Sequence, residues 1–277
     1  MRTGERHLRR GRRLSDALGW GISGLAFLVL GGAMVSILAI IVVHGFAALK
    51  PEVLTHVTEG TGGGLLNAIE GTAVLALGGV LLAVPAGMAG GIYLAEFDYG
   101  LLAPAIRFLA DVLVGVPSIV IGYFGYVTMV VTLGWGFSLA AGSVALAIIS
   151  VPYICRTTEI ALRQVPGGLR EAAYALGATD RAVVFGISLP AARSGILTGI
   201  LLALAISVGE TAPLLYTAGW SSYLWNGHLI KEPVGYLTYV IWAFITEPFA
   251  SAHALAYAAA LFVTLFVLVI GIISRML

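Results

Sequence analysis

The charged residues of this 277-residue chain occur in clusters that are separated by long uncharged stretches. A helix of ~20 apolar residues crosses the hydrocarbon core of a bilayer. The stretches of that length are 17–43, 71–95, 112–155, 194–218 (broken only by one glutamate) and 251–274. The stretch 112–155 is long enough for two helices, and its turn-like residues 134–138 predict a hairpin. The pattern therefore predicts an all-α polytopic membrane protein with about six transmembrane helices.

The composition excludes several other classes of protein. Hydrophobic residues make up 59% of the chain and charged residues 10%, whereas a soluble domain has about 25% charged residues. A net charge of +1 argues against a nucleic-acid partner. The single Cys155 rules out a disulfide framework, and the five dispersed histidines show no ligand spacing. We therefore predict no metal site and no soluble enzyme.

The basic residues predict the orientation of the spans. If the spans alternate, every arginine falls on one side and both lysines, Lys50 and Lys231, fall on the other. The positive-inside rule then places both termini in the cytoplasm. The predicted segments are a basic cytoplasmic N-terminal segment at 1–16, a first transmembrane helix at 17–48 and an extracytoplasmic loop at 49–70. Residues 233–246 are too short to span and fit either a re-entrant or an interfacial helix.

The loop 156–193 is the one long connection on the predicted inner side. Leu169, Ala172, Ala173 and Leu176 recur at helical spacing and give one apolar stripe. Gly177 is placed to end that helix. A second short helix is expected to begin at Thr179 or Asp180, where either residue can cap it, and to stop at Pro190. This pattern predicts a docking device for a partner, with an amphipathic helix on the membrane surface as the alternative.

The same loop closely resembles the EAA signature of bacterial ABC importer permeases. The matching residues are Glu171, Ala172, Ala173, Gly177, Leu189 and Pro190. The resemblance implies a type I ABC importer permease fold with a transmembrane core at 71–277. It also implies that the loop 156–193 couples this core to an ATP-hydrolysing partner subunit. The chain lacks the G-x-x-x-x-G-K-[ST] loop that cradles ATP phosphates, so we predict neither catalytic residues nor a cofactor in it.

Glu210 is the most informative charged residue inside a predicted span. Burying a carboxylate at membrane depth costs at least ~2.5–3.5 kcal/mol, so it should face a cavity or a partner. Gly209 and Pro213 weaken the helix around it. An unpaired carboxylate would repel an anionic substrate, which favours a gate whose partner lies on another permease chain. The alternative is that Glu210 lies near the outer interface and reaches water there.

The residues around Glu210 narrow the resemblance. The segments 207–215, 113–120 and 67–72 look like those of the A-type permease subunits of phosphate-specific ABC importers. The predicted translocation pathway or gate comprises Ser207, Glu210, Thr211 and Pro213. Many members carry an arginine four residues before the glutamate, where this chain has Ile206. Because Ile206 carries no charge, the sequence leaves open which group supplies the positive charge that would pair with Glu210.

The resemblance implies an importer in the bacterial cytoplasmic (inner) membrane that moves inorganic phosphate inward by alternating access. The implied partners are a second related permease, two ATP-binding subunits, an extracytoplasmic phosphate-binding protein and membrane lipid, without nucleic acid. A permease for another oxyanion, such as molybdate or sulfate, is one alternative. An ion-coupled secondary transporter with Glu210 as proton carrier is another, although we find no internal inverted repeat.

Two pairs of glycines and one arginine–aspartate pair have a spacing of four residues, which predicts specific contacts. Glycines four residues apart, at 87 and 91 and at 195 and 199, predict close packing between helices. Arg107 and Asp111, also four apart, predict an ion pair on one helical face.

Overall fold

The computed structural model describes residues 2–98 and 100–277, which are almost entirely helical. The predicted basic segment 1–16 lies, apart from Asp16, outside the residues whose side chains are described. The helices are α1 (Arg2–Ala48), α2 (Pro51–Thr55), α3 (Leu66–Glu96), α4 (Leu102–Gly115), α5 (Ser118–Gly125), α6 (Leu139–Arg163), α7 (Gly167–Ala175), α8 (Asp180–Val183), α9 (Leu189–Gly209), α10 (Ala212–Thr217), α11 (Leu237–Phe244) and α12 (Ala250–Met276). Two π-helical segments, Tyr126–Thr132 and Val184–Ser188, follow α5 and α8. Strands β1 (Thr58–Glu59) and β2 (Gly62–Gly63) form a small antiparallel hairpin.

Five helical segments of the described chain are long and apolar enough to cross a membrane. They lie in α1 from Leu18 onward, in α3, in α6, in the continuous run from α8 to α9, and in α12. The pair α4 and α5 makes a sixth span if its 97° bend is counted within one crossing. This confirms the predicted all-α membrane fold of about six spans. In the most apolar stretch of α6, two-thirds of the residues are buried, so this helix lies at the centre of the bundle. In the most apolar stretch of α1, no residue is buried, so α1 lies at the periphery.

The core of the bundle is built by close packing of α3 and α9 on α6. A Cβ atom on Gly91 would lie 2.5 Å from Thr158 Cβ, and one on Gly195 would lie 2.7 Å from Ala161 Cβ. The other glycine of each predicted pair, Gly87 or Gly199, is equally close to α6. These distances are far shorter than a carbon–carbon contact, so only glycine allows the backbones to approach in this way. The predicted packing role of both glycine pairs is confirmed.

The predicted hairpin within 112–155 is confirmed at its turn and wrong in its first arm. The chain turns at residues 133–138, and Ser138 Oγ caps α6 by accepting a hydrogen bond from the Ala141 amide at 3.3 Å. The first arm is not one helix, because α4 ends at Gly115 and α5 begins at Ser118 in a new direction. Pro117 explains the break, since it forces the preceding Val116 into an extended conformation (φ −75°, ψ 126°).

The fifth predicted span, drawn to about residue 218, also breaks. Helix α9 ends at Gly209, and Glu210 is extended with φ −72° and ψ 135°. Helix α10 then begins at Ala212 with Pro213 in its first turn, where a missing N–H leaves no hydrogen bond unmade. The weakening expected from Gly209 and Pro213 is therefore realised as a complete interruption of the helix.

The segment 233–246 contains the eight-residue helix α11, which is buried within the bundle. Leu237, Val240 and Phe244 pack in one cluster with residues of α12, including Leu255 and Ala259. The helix is too short to cross a bilayer. It closes the end of the bundle at which α3 begins and α10 ends.

Candidate functional site

Glu210 lies at the interruption between α9 and α10 and connects it to the second interruption. The side chain of Ser118, the first residue of α5, lies close enough to interact with the carboxylate of Glu210. Ser118 follows the bend between α4 and α5, so the two interrupted spans meet at this point. The glutamate is only partly buried. Sequence reasoning included Ser118 in a matching segment but gave it no role.

Two further contacts hold the interruption in place. Thr238 Oγ1 in α11 donates a hydrogen bond of 2.7 Å to the backbone oxygen of Glu210. One turn earlier, the buried hydroxyl of Ser207 lies 3.1 Å from the hydroxyl of Ser150 in α6. The break is therefore tied to α11 on one side and to the central helix on the other.

Helix α10 packs tightly on α5. A Cβ atom on Gly122 would lie 2.6 Å from the Cα atom of Pro213, so α5 can approach α10 only through a glycine. Thr211, the remaining predicted pathway residue, precedes α10 and makes no capping hydrogen bond with its side chain. The four residues predicted from sequence thus lie in one short segment, which the structure joins to α5 and α11.

The described residues provide no cationic partner for Glu210. None of the ion pairs in this part of the chain includes it, and Ile206 is half-buried one turn before it. The neighbouring hydroxyl of Ser118 is neutral, so it does not balance the charge of an ionised Glu210. A cation from another chain, as the sequence predicts, stays a prediction.

The predicted docking loop exposes most of its apolar stripe. Leu169 and Leu176 are 48% and 90% exposed, and Ala172 is exposed, whereas Ala173 is buried. Helix α7 carries this stripe and is followed by Gly177 with φ +80°, a conformation that favours glycine. The Gly177 amide donates to Tyr174 O at 2.9 Å, which closes the turn.

The second half of the loop differs from the prediction. Thr179 does cap α8, since its Oγ1 accepts a hydrogen bond from the Ala182 amide at 3.4 Å. Pro190, however, does not stop the helix, because the chain runs from α8 through a π-helical segment directly into α9. The π-helical segment ends at Ser188, and Pro190 occupies the first turn of α9, where proline is tolerated. Leu189 packs against the cluster that joins α6 and α9.

A network of charges where α3 and α6 end and α4 begins was missed by sequence reasoning. Glu159 is 3% exposed and bonds three arginines, with distances of 3.1 Å to Arg107, 3.0 Å to Arg156 and 3.1 Å to Arg163. The signal was present, since Arg156 and Arg163 lie three residues before and four after Glu159 on one helical face. Arg107 does not pair with Asp111 as predicted, because Glu159 and Asp98 offer it two closer carboxylates.

Asp98 completes this network in the turn after α3. Its Oδ2 atom lies 2.7 Å from Arg107 and 3.0 Å from Arg163. The hydrogen bond from Arg107 lowers the pKa of Asp98, with a further contribution from Arg163. The network thereby fixes the turn between α3 and α4 to the end of α6.

The described residues contain no group of three histidine, cysteine, aspartate or glutamate side chains that could hold a metal ion. The structure thus has two candidate functional features. One is the pair of interrupted spans that meet near Glu210, and the other is the exposed loop that contains α7.

Comparison with known families gives a match over most of the chain. Residues 87–277 match the family model described as binding-protein-dependent transport system inner membrane component. The relatives include phosphate transport system permease protein PstA 2 of Mycobacterium bovis, which is 46% identical over 96% of this chain and 88% of its own length. The PstA proteins of Yersinia pestis and Haemophilus influenzae are 44% and 40% identical, over 85% and 96% of this chain and 80% and 94% of their own.

Solved structures give a matching fold. An inward-facing structure of the MetNI methionine ABC transporter aligns with a TM-score of 0.62, covering 76% of this chain and 93% of that one. The sequences are 19% identical in this alignment, so the likeness concerns the fold.

Proposed function

We propose, starting from the fact that the chain belongs to the family of binding-protein-dependent transport inner membrane components, that it is the permease subunit of an ATP-driven phosphate importer. The observation that carries the proposal is the 46% identity, over nearly the whole chain, to a phosphate transport system permease protein. The fold agrees, since it is that of an ABC importer permease in a multi-pass inner membrane protein.

The exposed loop supports assembly with an ATP-hydrolysing subunit. The apolar stripe of α7 is exposed at one end of the bundle. A partner subunit that covers this stripe removes its apolar surface from water and so stabilises the complex. Glu171, Ala172, Ala173, Gly177, Leu189 and Pro190 form the proposed coupling site. The same proposal includes two ATP-binding subunits, a second related permease and an extracytoplasmic phosphate-binding protein. ATP hydrolysis then belongs to the partner, and this chain carries the passage of the ion.

The proposed gate comprises Ser207, Glu210, Thr211 and Pro213. Glu210 and Ser118 lie side by side where the two interrupted spans meet, so a displacement of α10 relative to α5 separates them or brings them together. Interrupted helices expose backbone polar groups that are tolerated at membrane depth only next to protein or water. Interrupted helices therefore suit a pathway that opens and closes. The phosphate ion passes through this pathway without forming a covalent bond.

The test combines purification with transport. The detergent-solubilised chain should carry an ATP-binding subunit and a second permease through affinity purification. Vesicles containing that complex should then take up phosphate when ATP and the binding protein are supplied. Molybdate and sulfate, added in excess, separate the alternatives, because a phosphate importer keeps its phosphate uptake in their presence. Uptake that needs an ion gradient and no ATP would contradict the proposal.

A further inference from the structure

Helix α7 is attached to the rest of the bundle by little apolar packing. Of its nine residues, Gly167–Ala175, only Ala173 is buried. The residues beyond each end are turns, at 164–166 and at 176–179. If a partner moves α7, apolar packing offers little contact through which the movement passes to the membrane spans, since packed cores transmit displacement only where atoms are in contact.

One side chain of α7 reaches all three neighbouring spans. The guanidinium of Arg170 donates from Nη2 to Glu96 Oε1 at 2.8 Å and to the Leu162 backbone oxygen at 2.7 Å. Its Nε atom donates to Ser188 Oγ at 3.2 Å. Glu96 is the last residue of α3, Leu162 lies in the last turn of α6, and Ser188 directly precedes α9.

Two of these three contacts lie at the carboxyl ends of helices, α3 and α6, where the electrostatics favour a cation. The carboxyl end of a helix carries a partial negative charge and unpaired backbone oxygens. Glu96 adds a full negative charge to the end of α3, and its side chain is only 8% exposed. The hydroxyl of Ser188 is completely buried. Arg170, itself 22% exposed, supplies the one charge that satisfies all three groups, with the planar set of donors that lysine lacks.

We infer that Arg170 is the positioning residue through which movement of α7 is transmitted to α3, α6 and α9. The inference rests on the proposed function, because it presumes that a partner subunit moves α7. It adds a residue outside the EAA signature and a physical path: one guanidinium that holds three spans at a common point. When α7 shifts, these hydrogen bonds draw the inner ends of the three spans together as one unit.

The experiment compares Arg170→Gln, Arg170→Lys and Glu96→Gln in the complete reconstituted complex. Three quantities are measured: the amount of ATP-binding subunit that co-purifies, the rate of ATP hydrolysis, and the phosphate taken up per ATP hydrolysed. We expect Arg170→Gln to keep the subunit and its hydrolysis but to lower phosphate uptake per ATP about tenfold, as for loss of a coupling interaction. Arg170→Lys and Glu96→Gln should give intermediate ratios, because each keeps part of the network.

Arg275→Gln is the matched control, since it removes an exposed arginine from the last turn of α12, outside the loop 156–193, and should leave the ratio unchanged. An unchanged ratio in both Arg170 variants and in Glu96→Gln would overturn the inference. So would loss of the ATP-binding subunit from Arg170→Gln and Glu96→Gln alike, which would assign the residue to assembly. Failure of the wild-type chain to retain an ATP-binding subunit would overturn the proposed function, and this inference with it.

Discussion

At the scale of single residues, Glu210 is defined by what surrounds it. Its carboxylate meets a neutral hydroxyl, that of Ser118, and no cation of the described chain. A charge in such a place is retained when it has a partner in another state or another chain, because an unbalanced carboxylate at membrane depth is costly. Glu210 therefore fits a gate better than a ligand for an anion, which it would repel.

The Glu210→Gln variant tests this role by keeping the shape and removing the charge. We expect normal assembly and a fall of about tenfold in maximal uptake at saturating binding protein, the size of a lost coupling interaction. The control is Glu59→Gln, which removes an exposed carboxylate from the β1–β2 hairpin. Wild-type uptake by Glu210→Gln throughout pH 6–8 would show that the carboxylate is only interfacial.

Asp98 gives a prediction about pH. Because Arg107 lowers its folded-state pKa, ionised Asp98 stabilises the fold at pH above its unfolded value of ~3.9. That stabilisation is lost as the pH falls through the lower, folded pKa. The melting temperature of the purified protein should therefore fall on acidification below about pH 4. The fall should be smaller for Asp98→Asn than for Asp180→Asn, which removes an exposed carboxylate from the loop. Equal pH dependence in the two variants would contradict the assignment.

Glu210 could be identified from the sequence, but the residues that surround it in the fold could not, because they lie far from it in the chain. A lone carboxylate in an apolar stretch stands out without any knowledge of the fold. Its neighbour Ser118 is far from it in the chain, and so is Glu96 from Arg170, which bonds it. Such pairs depend on how helices are arranged in space, which periodicity along one helix does not encode.

At the scale of the helix, the prediction for the docking loop is confirmed at the turn of Gly177 and at the cap of Thr179, and it is wrong at Pro190, where the helix continues. The stripe of α7 and the turn at Gly177 follow from local rules of spacing and backbone conformation. Pro190 was read as a stop because proline lacks an N–H. A π-helical segment before it shifts the hydrogen-bond pattern, so that proline falls in a first turn where no N–H is needed.

Gly177→Asp tests the turn against a control in the same helix. A residue other than glycine at φ +80° costs about 1–2 kcal/mol. We expect the variant to reach the membrane at normal levels but to lose most ATP-dependent uptake, since the exposed face of α7 is reoriented. Gly168→Asp adds the same charge to α7, where its Cβ meets nothing within 4 Å and φ is not positive. Equal uptake in the two variants would show that the turn is not required.

At the scale of the whole molecule, counting apolar stretches predicted the class and the number of spans but not their breaks. Length and charge report how much chain can lie in lipid. The interruptions at Pro117 and Glu210 are not visible in such a count, because each is a local change of backbone conformation. The close approach of Gly122 to Pro213 then packs the two broken spans against each other. The peripheral α1 was the simplest span to predict, and the packed, broken spans near the proposed pathway were the hardest.

The two ends of the molecule are defined by contacts, and only their assignment to cytoplasm or exterior depends on charge. Asn67 accepts a hydrogen bond from Thr58 and donates one to Ser221 O at 2.8 Å, which places the β1–β2 hairpin and the segment after α10 at the same end. Arg170 bonds Glu96 at the other end of α3, a helix of 31 residues and thus ~45 Å long. Since Arg107, Arg163 and Arg170 bond residues at that second end, the positive-inside rule predicts that it is cytoplasmic.

Reporter fusions test this orientation. Fusions after Gly60 and after Gly227 should both report the exterior, and a fusion after Gly168 should report the cytoplasm. The contacts of Asn67 require the first two to agree with each other whatever the orientation, so they check the fold independently of the charge rule. Disagreement between them would contradict the arrangement of spans. If the fusions after Gly60 and Gly227 both report the cytoplasm and the fusion after Gly168 reports the exterior, the fold stands and the predicted orientation is wrong. The proposed docking of α7 to a cytoplasmic ATP-hydrolysing subunit would then be wrong as well.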